Sequence, residues 1–301
     1  MSKPVIGFIG IGLMGHGIAK NILEGGYPLV TMAHRNRAPL EDLVSRGATE
    51  AAGTAELARQ CDIIFLCVTG SPQIEALVRG ADGIAANAKP GSILVDCSTA
   101  DPTSTEGLAE ELAEKGISMA DAPLGGTPAQ AEEGELSAIV GADPETFARI
   151  EPVLATWAAN VLHLGPVGQG HKMKLINNFI SLGQGALLAE GMAMARKAGL
   201  TVEQFHTVIG SSRMHNGFYD TFMKWTLEHD ENAHKFTISN AHKDMRYLAS
   251  LAIATGAVTP VQAALRNDLC AMEAAGQGGR YVPMLADFIA EVNGLDTETS
   301  E

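Results

Sequence analysis

Near the start of the chain, Gly10-Ile11-Gly12-Leu13-Met14-Gly15 has the spacing G-x-G-x-x-G. The first glycine permits a tight turn, and the second removes a side chain where a pyrophosphate must come close. The third lets the next helix pack on the preceding strand. An apolar run at residues 5–9 precedes the motif and a helical run, Gly15–Glu24, follows it. A helix N-terminus there offers N–H groups and a positive dipole end to an anion. Together these point to dinucleotide binding by Gly10, Gly12, Leu13, Met14 and Gly15. Further on, Ala33-His34-Arg35-Asn36-Arg37 holds no acid to bond the ribose hydroxyls of NAD, whereas Arg35, with Arg37 near it, offers a fork for the 2′-phosphate of NADP. NADP(H) is the expected cofactor and NAD(H) the alternative. Lys174 and Asn178 lie four apart in a helical stretch and so share a face. An ammonium can protonate the alkoxide left by hydride transfer to a carbonyl, and an amide can orient its oxygen. Taken alone, Lys174 reads as an ordinary exposed lysine.

The elements that must position these groups fall into two textures. Residues 5–9, 29–32, 62–68, 92–96 and 117–120 read as buried strands, separated by helices such as Gly15–Glu24 and residues 103–115. Asp101-Pro102 supplies a cap and a first-turn proline for the latter. A strand at 136–140 and a helix at 146–155 complete this half. Continuous apolar strands alternating with helices predict a doubly wound parallel α/β sheet. From about residue 171 to 198 the pattern is one long helix rich in small residues, and beyond 201 it is helical throughout. The expected organisation is a dinucleotide-binding domain (1–164), an interdomain helix (165–198) and an all-helical substrate and oligomerisation domain (199–301).

A formal net charge of −14 without any basic run disfavours nucleic acid and anionic lipid as partners. An apolar share of 46% is enough for a sizeable core. The four cysteines form no C-x-x-C pair, which suits free thiols in a reducing compartment, so a cytoplasmic location is expected. None of the nine histidines falls in an H-x-x-x-H or Cys/His cluster, so no metal is expected. No G-x-S-x-G elbow supports a serine hydrolase.

Four segments together resemble the β-hydroxyacid dehydrogenase family, which includes 3-hydroxyisobutyrate dehydrogenase, tartronate semialdehyde reductase and sulfolactaldehyde reductase. They are Gly7-Phe8-Ile9-Gly10-Ile11-Gly12-Leu13-Met14-Gly15 with Ala19 and Asn21; Asp121-Ala122-Pro123-Leu124-Gly125-Gly126; Gly168-x-Gly170-x-x-x-Lys174-x-x-Asn177-Asn178; and His242-Lys243-Asp244. The resemblance covers nearly the whole chain. It implies a Rossmann-type domain followed by an all-α domain, and an NADP(H)-dependent interconversion of a small β-hydroxy acid and its semialdehyde. In that reading Lys174 is the general acid/base with Asn178 beside it, and Val68, Thr69, Thr99 and Lys243 reach the cofactor. Gly125, Gly126 and Thr127 hold the substrate in a cleft between the domains.

The departures bear on substrate. Gly125 stands where many members carry serine, and Thr127 offers a replacement hydroxyl. The Gly125-Gly126-Thr127 stretch looks closest to the sulfolactaldehyde reductase branch, which has G-R-T; Gly126 replaces that arginine, which favours a carboxylate over a sulfonate. Two other readings share the architecture: an imine reductase, and a catalytically silent NADP-binding module. The small-residue helix suggests a homodimer or homotetramer.

Overall fold

The computed structural model describes residues 3–297; the last residues of the polar tail lie outside them. Two compact units are formed, Met1–Lys174 and Leu175–Glu301. The first contains β1 (Ile6–Ile9), α1 (Gly15–Glu24), β2 (Leu29–Thr31), α2 (Ala38–Ser45), β3 (Thr49–Glu50), α3 (Thr54–Gln60), β4 (Ile63–Leu66), α4 (Ser71–Arg79), α5 (Ile84–Asn87), β5 (Ile93–Asp96), α6 (Pro102–Ala113), β6 (Ser118–Asp121), β7 (Leu124–Gly125), α7 (Pro128–Glu133), β8 (Leu136–Gly141), α8 (Pro144–Leu154) and β9 (Ala158–Gly165). It ends with the first turns of α9 (Gln169–Lys197).

The sheet order is β3-β2-β1-β4-β5-β6-β8-β7, with β9 beside β8. Its first six strands have the 3-2-1-4-5-6 order of a dinucleotide-binding sheet, in which ligands sit at the strand C-termini where the order reverses, here between β1 and β4. In-register parallel pairing sets Ile9 beside Leu66 and Leu66 beside Asp96, so the loops that leave these strands emerge side by side. The two faces divide by strand alternation. Ile6, Phe8, Ile63, Phe65, Ile93 and Val95 join one buried cluster, whereas Ile9, Ile64, Leu66 and Leu94 join the other.

Two features depart from the expected all-parallel sheet. β8 runs antiparallel to β6 and β7. β9 is an added strand, parallel to β8, whose residues are largely exposed and so carry no buried apolar run.

The second unit is helical: the rest of α9, then α10 (Val202–Gly210), α11 (Gly217–Glu228), α12 (Ile238–Thr255), α13 (Pro260–Met272) and α14 (Leu285–Val292). Leu175, Leu182, Tyr219, Phe222, Met245 and Leu269 are among its buried centre. Two small residues of α9 serve packing inside this unit: a Cβ on Gly185 would lie 3.2 Å from Phe222, and one on Gly191 would lie 3.3 Å from Phe205. No described helix is long and apolar enough to cross a membrane. All four cysteines are free. Cys61 and Cys97 are buried and Cys67 partly so; burial pushes the thiols of Cys61 and Cys67 up to about 12 and raises that of Cys97 well above the usual thiol value, while Cys270 is exposed.

Candidate active site

The glycine motif occupies the turn between β1 and α1, and each glycine meets a different constraint. Gly10 has φ 101°, and a Cβ there would lie 2.1 Å from the carbonyl oxygen of Cys67, at the end of β4. A Cβ on Gly15 would lie 2.0 Å from the Gly10 carbonyl oxygen, so the helix start rests directly on the turn. Around Gly12 there is open space. Packing demands nothing of that position, which leaves close approach of a ligand as the reason for glycine. α1 has no side-chain cap and no acid in its first turn, so its N-terminus is left for an anion. Leu13 is exposed and Met14 partly buried. Behind the turn, Asn21 donates to the carbonyl of Ala131, and His16 bridges Glu132 at 2.8 Å and Asp42 at 3.0 Å, tying α1 to α7 and α2.

The two arginines after β2 differ. Arg37 makes a two-pronged contact with Glu50, 3.1 Å on each arm, which raises its pKa further. Arg35 is exposed, and among the described residues it makes no ion pair or hydrogen bond.

The adjoining strand ends are laced together. Ser98 accepts a hydrogen bond from the Val68 N–H at 2.9 Å, and its own N–H donates to Asp96 Oδ1 at 2.9 Å. Ser98 thus joins the β4 and β5 loops, while Asp101 caps α6 through the Thr103 N–H at 3.0 Å. Thr69 is exposed and Thr99 half-buried beside them.

Gly125 closes β7 opposite Ser137. A Cβ on Gly125 would sit 3.5 Å from that of Ser137, an ordinary contact, so the glycine is optional there. Gly126 is not: its φ is 129°, and a Cβ would come within 2.7 Å of Leu136. Thr127 is the N-cap of α7 in a reciprocal box with Gln130, so its hydroxyl has a structural partner.

Asp121 explains the next motif. The carboxylate is fully buried and accepts from the N–H of Gly168 and of His171, each at 2.6 Å. Burial pushes it up, while His171 and the two N–H groups pull it back. A Cβ on Gly170 would lie 2.2 Å from the Ile139 carbonyl oxygen, so Gly168-x-Gly170 seats α9 against β6 and β8. Lys174, half-buried, lies one turn further along, and Asn178 one turn beyond that.

Within the helical unit, the Asn178 amide donates to Asp244 Oδ2 at 2.8 Å. Asp244 is 1% exposed and pairs with Lys243 through its other oxygen at 3.1 Å. His242 meets Glu273 at 2.5 Å, and Lys243 lies over the Tyr247 ring. Sequence reading quoted Asp121 and Asp244 within motifs but gave them no work, and passed over Asp96 and His171. Their work becomes legible only when their backbone and side-chain partners are known.

Two family models, curated relatives and solved structures match the chain. Residues 5–165 match the model of the NAD binding domain of 6-phosphogluconate dehydrogenase, and residues 168–285 match the NAD-binding domain of NADP-dependent 3-hydroxyisobutyrate dehydrogenase. The chain is 32% identical to 2-(hydroxymethyl)glutarate dehydrogenase of Eubacterium barkeri over 81% of each chain. It is 29% identical to 3-sulfolactaldehyde reductase of Escherichia coli over 91% of each. A solved 3-hydroxyisobutyrate dehydrogenase from Salmonella typhimurium superposes with a TM-score of 0.83 at 26% identity, covering 94% of this chain and 99% of that one. A Rossmann-type sheet with a dinucleotide turn, a helical second unit and these matches make one conclusion: the chain belongs to the β-hydroxyacid dehydrogenase family and is an NAD(P)-dependent oxidoreductase.

Proposed function

We propose that the protein uses NADP(H) to interconvert a small β-hydroxy acid and its semialdehyde, with Lys174 as the general acid/base. The observation that carries this reading is the seating of α9: Asp121 and the Gly168-x-Gly170 turn fix the helix start against the sheet one turn before the lysine. When bound, the nicotinamide supplies or takes up the hydride. Lys174 Nζ gives the proton to the carbonyl oxygen, or removes it in the reverse direction. Asn178, its amide nitrogen committed to Asp244, turns its carbonyl oxygen toward the substrate hydroxyl or the ammonium. The N–H groups around Gly125 and Gly126 bind the acid group, and Thr127 lends its hydroxyl if it exchanges Gln130 for substrate. Gly10, Gly12, Leu13, Met14 and Gly15 hold the pyrophosphate, Val68, Thr69 and Thr99 the nicotinamide side, and Lys243 the cofactor from the helical unit. Glycine at 126 supplies no guanidinium, which favours a carboxylate over a sulfonate.

Replacing Lys174 by alanine should lower turnover by ~10²–10⁴ while cofactor affinity stays nearly intact; unchanged turnover abandons the assignment. Arg35, uncommitted and without an acid neighbour in its loop, is the reason for preferring NADP(H). Arg35→Asp should move the preference toward NAD(H), read as the ratio of kcat/KM for the two cofactors. A panel of three- to five-carbon hydroxy acids and semialdehydes identifies the substrate. A homodimer or homotetramer in the cytoplasm completes the proposal.

A further inference from the structure

We propose that His171 is a positioning residue for Lys174: its ring bridges the Ser98 carbonyl after β5 and the Thr105 hydroxyl on α6 and locks the first turn of α9 there. The inference rests on the reading of Lys174 given above. His171 is fully buried in the first unit. Its Nε2 lies 3.1 Å from the Ser98 carbonyl oxygen, which can only accept, so Nε2 carries a hydrogen. Its Nδ1 lies 2.8 Å from Thr105 Oγ1. That hydroxyl also lies 3.2 Å from the Asp101 carbonyl oxygen, so it ties the ring to the first turn of α6.

Two carboxylates flank the ring. Asp96 Oδ2 is 3.7 Å from Nε2 and Asp121 Oδ2 is 3.8 Å from Nδ1, and all three side chains are fully buried. Asp96 Oδ2 has no hydrogen-bond partner among the described residues.

The consequence reaches the chemistry through Ser98. Its carbonyl takes the His171 ring and its hydroxyl takes the Val68 N–H, so one residue fastens the start of α9 to both strand-end loops. Lys174 follows three residues later, one turn along the same helix. Loss of the ring frees that turn and displaces the ammonium.

The test has two arms on the full chain saturated with NADP+. In the first, 15N-histidine ring resonances are recorded between pH 6 and 8, and Thr105→Val identifies those of His171 by the shift it causes. A hydrogen on Nε2 is expected, as its carbonyl partner requires; a tautomer with a bare Nε2 overturns the proposal. In the second, His171→Gln and Thr105→Val are assayed. For H171Q, kcat should fall about 10²-fold, the cost of a small misplacement of a reacting group. The NADPH dissociation constant, read by cofactor fluorescence, should stay unchanged, and T105V should lose less. Unchanged kcat in H171Q overturns the proposal, and so does a parallel loss of kcat and cofactor affinity, which marks a merely structural role. If H171Q does not fold, T105V and the ring spectra of the unaltered protein still decide. An unaltered protein that turns over no hydroxy acid or semialdehyde defeats the functional reading, while the ring spectra answer separately for the clamp.

Discussion

Gly12 and Gly15 stand three residues apart and answer to different partners, which separates folding from binding in the same turn. A side chain at Gly12 enters open space, so Gly12→Val should leave the melting temperature of the cofactor-free protein in place. The same change should weaken cofactor binding by tenfold or more, about 1.4 kcal/mol or beyond. Gly15→Ala drives a methyl into the Gly10 carbonyl oxygen and should destabilise the fold by about 1–3 kcal/mol, visible in a urea titration without any cofactor. Gly125→Ser is a third case. The site has room for the side chain, so this variant should fold normally, and any change should appear in the KM for the acid substrate rather than for the cofactor. These roles could be assigned from sequence because glycine in G-x-G-x-x-G has so few physical reasons to be there. Asp121 and Asp244 could not, because a carboxylate's work depends on which N–H groups or amides the fold brings to it.

The elements carrying strong periodicity were the legible ones. α1 was read with its observed bounds, and Asp101-Pro102 begins α6 with the anticipated cap. The weak elements were lost for a physical reason: β3 and β9 are short or exposed strands, supported by pairing rather than by buried apolar alternation. Caps give a test at this scale. Asp143 opens α8, and its hydrogen bonds with Thr146 and the Glu145 N–H hold its carboxyl below the usual carboxylate range. A depressed folded value means that the cap contributes stability above the ordinary aspartate pKa of about 3.9, and that this contribution fades as pH falls through the folded value. Asp143→Ala should therefore cost about 1 kcal/mol near neutrality. The denaturation curves of the variant and the unaltered protein should converge in strong acid, and Asp143→Asn should retain most of the cap.

At the scale of the whole chain, two compact units share one continuous helix, and the sequence announced this through a change from alternating strands and helices to helices alone. What sequence did not announce is the row Met173, Ile180, Leu187 and Met194, exposed at seven-residue intervals along α9. This exposed apolar row supports the proposed homo-oligomer better than Gly185 and Gly191 do, since those two pack inside the unit. Leu187→Asp should lower the sedimentation coefficient toward that of a single chain; an unchanged value places the subunit contact elsewhere. The distribution of sulfur leads somewhere different. Three thiols are buried or partly buried in the first unit, where burial raises their pKa, and one faces water in the second, so a maleimide should titrate a single equivalent per native chain and four in guanidinium. The appearance of the other three is thus a built-in clock for the opening of the nucleotide-binding unit, readable by mass without installing any label.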